Sequence, residues 1–366
     1  MREYFLIFIV AAAITYLSTP LVRALAVLTG AFTPVRDRDV HSTPTPRLGG
    51  VAIFLGFAAA ALVARQLPYL KLVYSSGQIT GVLLGGAIVC LVGAIDDIHE
   101  LDAMTKLAGQ VLAAGVMAYK GVQLLAIPFF GTSTVLPTPA LVAVTVVIVI
   151  ATANAVNFID GLDGLAAGVV GIAALSFFIY SYLVSRTYNP PNVFSNATFI
   201  TAAVLGCCVG FLPHNFHPAR LFMGDSGALL LGLLLASATI SITGNVDPSD
   251  FSGGDISAAL LPIAVPLAVL RLPFLDMVLA VGRRTLAGQR PWHADAKHLH
   301  HRMLEIGHGH RTAVLILYLW AALLSLGTVS FAFVEGWQAS VVIAVCIAAA
   351  VVLTVWLPRW SSARRL

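Results

Sequence analysis

Charged residues are scarce in this sequence. Asp, Glu, Lys and Arg make up 10% of its 366 residues, whereas 58% are hydrophobic, and the mean hydropathy is +0.90. Soluble globular domains carry about 25% charged residues. The shortage of charge therefore excludes a soluble globular domain and indicates a protein of the lipid bilayer.

Cysteine is scarce as well, and no internal repeat, low-complexity tract or linker between soluble domains is present. The four cysteines fall inside long apolar runs without metal-ligand spacing, so we expect small buried residues. The first apolar run, from Tyr4 to Leu28, lacks the short apolar core and basic leader of a cleaved signal. We expect it to remain as a membrane span.

Long apolar runs are the main feature that is present. About 20 apolar residues cross the hydrocarbon core of a bilayer as an α-helix. The sequence predicts eleven such helices, at 4–28, 50–67, 79–95, 105–118, 139–158, 162–184, 198–212, 227–243, 256–281, 313–334 and 339–357. The expected fold is all-α: one polytopic transmembrane catalytic domain, 1–366, with a long cytoplasmic substrate-binding loop at 282–312.

Positive charge is distributed unevenly between the loops. With the N-terminus outside and the C-terminus in the cytoplasm, fourteen Lys and Arg residues flank the inner side and four lie in outer loops. Because cytoplasmic loops carry an excess of these residues, this orientation is favoured. The net charge of +4 then reflects topology rather than nucleic-acid binding. All ten histidines fall in the same inner loops, so we expect an enzyme of the inner (plasma) membrane with a cytoplasmic active site.

A membrane transporter is the alternative from another class, because transporters also hold carboxylates and histidines among many spans. A transport path needs polar groups through the membrane. Charges inside the predicted spans are nearly confined to Arg23, Arg271 and Asp276. The one-sided distribution of polar residues therefore favours chemistry at the inner membrane surface.

The first motif is the adjacent pair Asp96 and Asp97 at a predicted helix end. Two neighbouring acids repel each other and are costly near a bilayer unless a cation, a metal or a substrate proton offsets the repulsion. Lys106 and Gln110 follow at i and i+4, on one face of the next helix, where they can meet an anionic ligand. A solvated turn is the alternative for the pair.

The second motif, Asn154-Ala-Val-Asn-Phe-Ile-Asp-Gly-Leu-Asp-Gly-Leu165, interrupts an apolar run with amides and acids. Asn154, Asn157 and Asp160 are spaced by three, so they stack near one helix end. The two glycines let the backbone turn or approach a ligand closely. A helix cap followed by a turn does not account for two Asn and two Asp.

The third motif, Phe222-Met-Gly-Asp225, sets an acid beside glycines at the start of a predicted helix. That geometry suits a phosphate or its magnesium ion, and a simple N-cap is the alternative for Asp225. The segment from His41 to Gly50, which contains Arg47, reads as a rigid basic loop, with a positive-inside anchor as its alternative.

The longest inner loop carries the run His298-Leu-His-His301 between Lys297 and Arg302. Such a run can bind zinc, but no acid or thiol at ligand spacing completes a zinc site. The neighbouring cations make diphosphate the better ligand.

Together and in this order, these segments resemble the polyprenyl-phosphate N-acetylhexosamine-1-phosphate transferases, over His41 through Arg311. The matching blocks are Asp-Asp with the later Lys106, Asn-x-x-Asn-x-x-Asp-Gly-x-Asp-Gly at 154–164, and Phe-Met-Gly-Asp at 222–225. The resemblance implies transfer of GlcNAc-1-phosphate from UDP-GlcNAc to a polyprenyl phosphate. The products would be polyprenyl-diphosphate-GlcNAc and UMP, in the first membrane step of a cell-envelope glycan pathway.

The last cytoplasmic loop divides this family. The interrupted run His298-Leu-His-His301 and the eleventh span resemble the bacterial branch that takes UDP-GlcNAc. The branch that takes UDP-MurNAc-pentapeptide usually has three consecutive histidines and ten spans. That reaction is the alternative within the superfamily, and a related donor such as UDP-GalNAc also stays open.

The resemblance also implies a cofactor, partners and residue roles. Mg²⁺ is expected, with Mn²⁺ able to substitute; the partners are UDP-GlcNAc, polyprenyl phosphate and membrane lipids, with a homodimer left open and no nucleic acid. Phe222 and Asp163 are expected near the uridine, and Asp225 with Asn157 near the metal. Asp96 and Asp97 would orient the acceptor, take its residual proton or hold metal, and a single displacement and a covalent aspartyl route both stay open. The expected catalytic residues are Asp96, Asp97 and Asp225, and the expected substrate-binding residues are Arg47, Lys106, Asn154, Asp160, Asp163, Phe222, Lys297, His298, His300, His301 and Arg302.

Overall fold

The computed structural model describes residues 1–33, 44–124, 127–129, 132–134, 137–188, 195–243, 271–286, 299–331 and 336–363. These ranges are mostly helical. The helices are α1 (Arg2–Thr29), α2 (Gly49–Ala64), α3 (Gln78–His99), α4 (Ala103–Tyr119), α5 (Thr138–Ile159), α6 (Leu165–Tyr188), α7 (Asn196–Asn215), α8 (Gly224–Thr243), α9 (Arg271–Leu286), α10 (Leu299–Glu305), α11 (His310–Ser330) and α12 (Gly336–Ala363), with a 3₁₀ helix at Leu70–Tyr74. Two short antiparallel hairpins pair β1 (Phe32–Thr33) with β2 (Thr45–Pro46), and β3 (Ile127–Phe129) with β4 (Thr132–Thr134).

Eight helices in the described part of the chain are long and apolar enough to cross a membrane, namely α1, α3, α5, α6, α7, α8, α11 and α12. The protein is an all-α polytopic membrane protein, as its sequence predicts. Each of the eleven predicted spans overlaps a described helix, although 256–270 of the ninth lie outside the described residues. The count of eleven spans and the orientation of the termini stay predictions.

The predicted loop 282–312 is partly helical. α9 continues to Leu286, α10 occupies Leu299–Glu305, and α11 begins at His310. The apolar run that marks the ninth span stops near Val281, but basic residues extend a helix readily because cations are favourable in its last turn. Residues 287–298 of this loop lie outside the described part of the chain.

Helices α7 and α8 form the centre of the bundle. Of the apolar window of α8, 89% is buried, against 17% of that of α12. α7 packs on α1 and α6, while α8 packs on α3 and α5. Glycine permits the close contact with α1: a Cβ on Gly206 or Gly210 would lie 2.4 or 2.2 Å from a main-chain oxygen of α1. Small residues allow membrane helices to approach in this way.

Two helices and a loop converge on the start of α8. A Cβ on Gly50 of α2 or Gly93 of α3 would lie 2.1 or 2.4 Å from main-chain atoms of Ser226. Alongside them, the amide of Phe222 donates to Pro46 O at 2.8 Å, and the amide of Gly50 donates to Met223 O at 3.0 Å. These backbone contacts bring the basic loop, the adjacent acids and the Phe-Met-Gly-Asp motif to one end of the bundle.

Candidate active site

A cavity of about 310 Å³ opens at the end of the bundle where α8 begins. Its wall combines residues from all three acidic motifs and from the basic loop. Seven of the predicted site residues line it: Arg47, Asp97, Asn157, Asp160, Asp163, Phe222 and Asp225. The structure thus brings together side chains that are up to 178 positions apart in the sequence, from Arg47 to Asp225.

An acidic cluster reaches this cavity through two of its members, Asp97 and Asp225. Asp96, Asp97 and Asp225 each place a carboxylate oxygen within 4.8 Å of the others. The Lys106 ammonium lies between two of them, 2.7 Å from Asp96 Oδ2 and 2.9 Å from Asp225 Oδ2. Lys106 thereby offsets part of the negative charge of the three carboxylates.

Asp97 holds the first turn of α8. Its Oδ1 accepts the amide of Asp225 at 2.9 Å, and its Oδ2 accepts the amide of Ser226 at 3.2 Å. These are donors that a helix leaves without partners at its N-terminus. Gly224 has φ +69°, and a Cβ there would lie 2.3 Å from Asp97 Oδ2, so only glycine fits between the carboxylate and the helix. Asp97 thereby fixes the position of Asp225.

Arg47 supports the same region from the other side. Its Nε donates to the main-chain oxygen of Asp97 at 3.1 Å, and its guanidinium lies 3.9 Å from the Glu100 carboxylate. A cation is favourable at the C-terminus of a helix such as α3. Asp96 is held locally, because its Oδ1 accepts the amide of Leu101 at 2.7 Å.

The amides of the second motif link three helices. Asn154 donates from Nδ2 to Gln110 Oε1 of α4 at 2.7 Å, and Asn157 donates from Nδ2 to Asp225 Oδ1 of α8 at 2.9 Å. Lys106 and Gln110, which the sequence predicts on one face of α4, contact Asp225 and Asn154. Binding of an anionic ligand by this face stays a prediction.

Asp160 follows directly after α5 and lines the cavity. Burial, and then the negative charges of Asp225, Asp97 and Asp163, raise the pKa of Asp160 to about 8. Its carboxyl group is therefore largely protonated at neutral pH in this arrangement. In that form it can donate a hydrogen bond to a phosphate or sugar oxygen.

Asp163 belongs to a second cluster, with His217 and His310. His217 Nδ1 lies 2.7 Å from Asp163 Oδ2, which also accepts the amide of Ala219 at 3.1 Å. The amide of Asp163 donates to His310 Nε2 at 3.2 Å. The two imidazole rings are stacked, with centroids 4.1 Å apart. Sequence reasoning did not single out these two histidines, since only the one-sided distribution of all ten pointed towards them.

The histidine-rich run is not part of the described cavity wall. Arg302 lies exposed on α10 and is not among the described lining residues. His300 and His301 belong to the same short helix, whereas Lys297 and His298 lie outside the described residues. Diphosphate binding by these four residues and Arg302 stays a prediction.

The acidic cluster fits a magnesium ion by its donor set and by its need for positive charge. Magnesium takes one or two carboxylates and keeps several waters, and Asp96 and Asp225 offer oxygens that Lys106 already bridges. Both oxygens of Asp97 accept amides. Asn157 turns its amide nitrogen towards Asp225, so its predicted role as a metal ligand stays untested.

The comparisons with known proteins bear on this site directly. Residues 79–243, which contain all three acidic motifs, match the model of glycosyl transferase family 4. Over 359 residues the chain is 43% identical to a decaprenyl-phosphate N-acetylglucosaminephosphotransferase of Mycolicibacterium smegmatis, covering 97% of this chain and 88% of that protein. The chain belongs to the polyprenyl-phosphate N-acetylhexosamine-1-phosphate transferases. The family that its motifs resemble is thereby confirmed.

Other members of the transferase family are similar over most of the chain. Identity is 30% over 326 residues to a probable undecaprenyl-phosphate N-acetylglucosaminyl 1-phosphate transferase of Bacillus subtilis, covering 88% of this chain and 83% of that protein. It is 31% over 324 residues to a phospho-N-acetylmuramoyl-pentapeptide-transferase of Desulforudis audaxviator, covering 82% and 87%. The transferase is therefore an enzyme of glycosyl phosphate transfer. Its 43% identity to the Mycolicibacterium N-acetylglucosaminephosphotransferase exceeds its identity to either of these two proteins.

Proposed function

We propose that this transferase moves GlcNAc-1-phosphate from UDP-GlcNAc to a polyprenyl phosphate, releasing UMP and leaving polyprenyl-diphosphate-GlcNAc. The observation that carries the proposal is the acidic cluster bridged by Lys106. Two of its acids, Asp97 and Asp225, line a cavity that Asp163 and Phe222 also line. The name of the Mycolicibacterium relative, which specifies decaprenyl phosphate and N-acetylglucosamine phosphate, supports the donor sugar and the acceptor class.

Charge neutralisation is the main task of such a site, because one phosphate attacks another and both are anions. Lys106 lies where its ammonium can pass from the carboxylates to a donor phosphate oxygen. Asp225 and Asp96 are the residues that would hold Mg²⁺, which when bound would offset the charge of the donor diphosphate. Arg47 on the cavity wall adds a second fixed cation.

The acceptor needs little help from a base. The second pKa of a phosphate monoester is about 6, so polyprenyl phosphate is largely dianionic at neutral pH. Because both oxygens of Asp97 accept main-chain amides, its hydrogen bonds support a positioning role for Asp97 more than a proton-transfer role. Asp97 keeps α8 in place, and α8 presents Asp225 to the cavity.

We also propose that the cavity faces the cytoplasm at the inner membrane. The three acidic motifs and the basic loop, which the charge distribution assigns to the inner side, gather at one end of the bundle. UDP-sugars are made in the cytoplasm and cannot cross the bilayer unaided, which is consistent with an active site on that face.

The test is incubation of the detergent-purified protein with polyprenyl phosphate and, separately, UDP-GlcNAc, UDP-GalNAc or UDP-MurNAc-pentapeptide. Released UMP and the mass of the lipid product are measured with Mg²⁺, with Mn²⁺ and with EDTA. We expect the highest kcat/KM with UDP-GlcNAc and no turnover in EDTA. Faster turnover of the pentapeptide donor would assign the other branch, and absence of UMP with every donor would refute the reaction class.

A further inference from the structure

We propose that His217 and His310 are positioning residues that hold Asp163, and the turn around it, in the shape that receives the nucleoside end of the donor. The inference rests on the proposed function, because it takes a UDP-sugar as the donor. Both histidines come from segments far from Asp163 in sequence, and neither lines the described cavity wall. Their effect on the donor therefore passes through Asp163.

At the end of the turn from Asp160 to Gly164, main-chain groups of Asp163 and Gly164 hydrogen-bond to side chains of other elements. The amide of Gly164, at φ +78°, donates to Asn215 Oδ1 of α7 at 3.1 Å. The carbonyl of Gly164 accepts from the hydroxyl of Tyr318 on α11, and the amide of Asp163 donates to His310 at the start of α11. Three side chains from two helices thus supply partners that the turn itself does not provide.

The side chain of Asp163 is held by contacts as well. It is 5% exposed, and its Oδ2 receives both the His217 ring and the amide of Ala219. His217 is anchored in turn, because Arg311 Nε donates to its main-chain oxygen at 3.2 Å. Arg311 and His310 are adjacent residues of α11. The start of this helix therefore contacts both members of the His217–Asp163 pair.

The two histidines perform different chemical tasks. His310 Nε2 accepts a hydrogen bond from the main-chain amide of Asp163, so the proton of this neutral ring lies on Nδ1. His217 Nδ1 faces a carboxylate, so here Nδ1 is the donor. An asparagine amide reproduces a group at Nδ1, whereas a glutamine amide, one bond longer, reproduces a group at Nε2. The arrangement therefore predicts that different amides replace the two histidines.

The position of His310 suggests why such a link is useful. The chain that enters α11 comes from α10, which carries part of the histidine-rich run expected to bind the donor diphosphate. His310 is where this chain meets the turn at Asp163. The start of α11 would then fix the position of the Asp163 turn relative to the histidine-rich run. The nucleoside and the diphosphate of one donor molecule could thus be bound at the same time.

The experiment measures UMP affinity by calorimetry in EDTA, and donor and lipid KM in the transfer assay. His310→Leu and His217→Leu should each weaken UMP binding and raise the donor KM about tenfold, which corresponds to about 1.4 kcal/mol, with lipid KM and kcat within about threefold. His310→Gln and His217→Asn should restore affinity to within about threefold, whereas His310→Asn and His217→Gln should not. Because the calorimetry is done in EDTA, loss of a metal ion bound by Asp163, His217 and His310 cannot explain a fall in UMP affinity.

His308→Gln is the matched control, because His308 lies two residues before α11 and its Nε2 contacts Thr354 O at 2.8 Å, away from Asp163. It should leave UMP affinity unchanged. If His310→Leu does not fold, His310→Phe keeps a stacked ring without the acceptor nitrogen and tests the same contact.

Wild-type UMP affinity in both leucine variants would overturn the inference, and so would equal rescue by Asn and Gln at each position. A fall in kcat with unchanged donor KM would also contradict it, since the role would then be in the chemical step. Wild-type protein that neither binds UMP nor uses UDP-GlcNAc would instead refute the proposed function.

Discussion

Asp97 and Asp225 belong to one cluster, but their hydrogen bonds are of different kinds. Asp97 accepts two main-chain amides, whereas Asp225 contacts only side chains, with Lys106 at one oxygen and Asn157 at the other, in the hydrogen bonds described for its carboxylate. A carboxylate that meets side chains can exchange them for a ligand. One that meets main-chain amides is a part of the fold.

We predict that Asp225→Asn lowers kcat by about 10²-fold or more, as loss of other electrostatic stabilisers does, and weakens the dependence on Mg²⁺. Asp97→Asn should lower both kcat and the melting temperature, because an asparagine replaces one acceptor by a donor facing the α8 amides. A rate profile from pH 7 to pH 9 checks the distinction. Recovery of Asp97→Asn at high pH would indicate a base role for Asp97, and near-normal activity of Asp225→Asn would remove the proposed metal ligand.

Lys106 and a metal ion would occupy the same space between Asp96 and Asp225. We predict that Lys106→Met binds Mn²⁺ about tenfold more tightly in the absence of donor, because the metal no longer has to displace an ammonium and the site keeps its carboxylates. Transfer activity should fall at the same time. Electron paramagnetic resonance of free Mn²⁺ measures the affinity, and unchanged or weaker binding in Lys106→Met would show that the two cations do not compete.

Asp160 gives a pH dependence whose sign follows from its raised pKa. The unfolded carboxyl titrates near 3.8 and the folded one at about 8, so the folded state binds more protons between these values. Stability from this group is complete below pH 3.8 and is lost as the pH rises through 8, by at most about 1.4 kcal/mol per pH unit. In EDTA, the melting temperature of Asp160→Asn relative to wild type should rise from pH 5 to pH 9. A difference in melting temperature between Asp160→Asn and wild type that stays constant from pH 5 to pH 9 would contradict the raised pKa of Asp160.

At the start of α8, close helix packing depends on glycine at particular positions. Gly50 and Gly93 let two helices reach the backbone of Ser226, and the same contact brings Asp97 within reach of the α8 amides. The site geometry thus depends on the close approach of α2 and α3 to the start of α8.

We predict that Gly93→Ala destabilises the protein by about 1–3 kcal/mol, as overpacking does, and lowers transfer activity. Its Cβ would meet main-chain atoms of Ser226, which cannot rotate away. Gly115→Ala on α4 is the control, because a Cβ there meets nothing within 4 Å and alanine is the better helix former. Melting temperatures in detergent compare the two. Equal stability of both variants would show that α3 and α8 are less closely packed than described.

For the molecule as a whole, the sequence predicts what is local and misses what is distant. Apolar runs determine the helices, so all eleven predicted spans overlap described helices. The acidic motifs could be found because each is a short block. His310 reaches Asp163 across 147 positions and His217 across 54, and no spacing rule joins them. The capping of α8 by Asp97, across 128 positions, was equally invisible, because capping from another helix leaves no local pattern.

Orientation is the whole-molecule property on which the active-site face depends, and we predict an outer N-terminus and an inner C-terminus from the Lys and Arg distribution. Ser195, at the start of α7, should then be outside, and Ser361, near the end of α12, inside. Ser195→Cys and Ser361→Cys are introduced singly after replacing the four native cysteines. In intact cells a membrane-impermeant thiol reagent should label only the first, and both after permeabilisation. Labelling of Ser361→Cys with protection of Ser195→Cys would invert the topology. It would also place the acidic cavity on the outer face, out of reach of a cytoplasmic UDP-sugar.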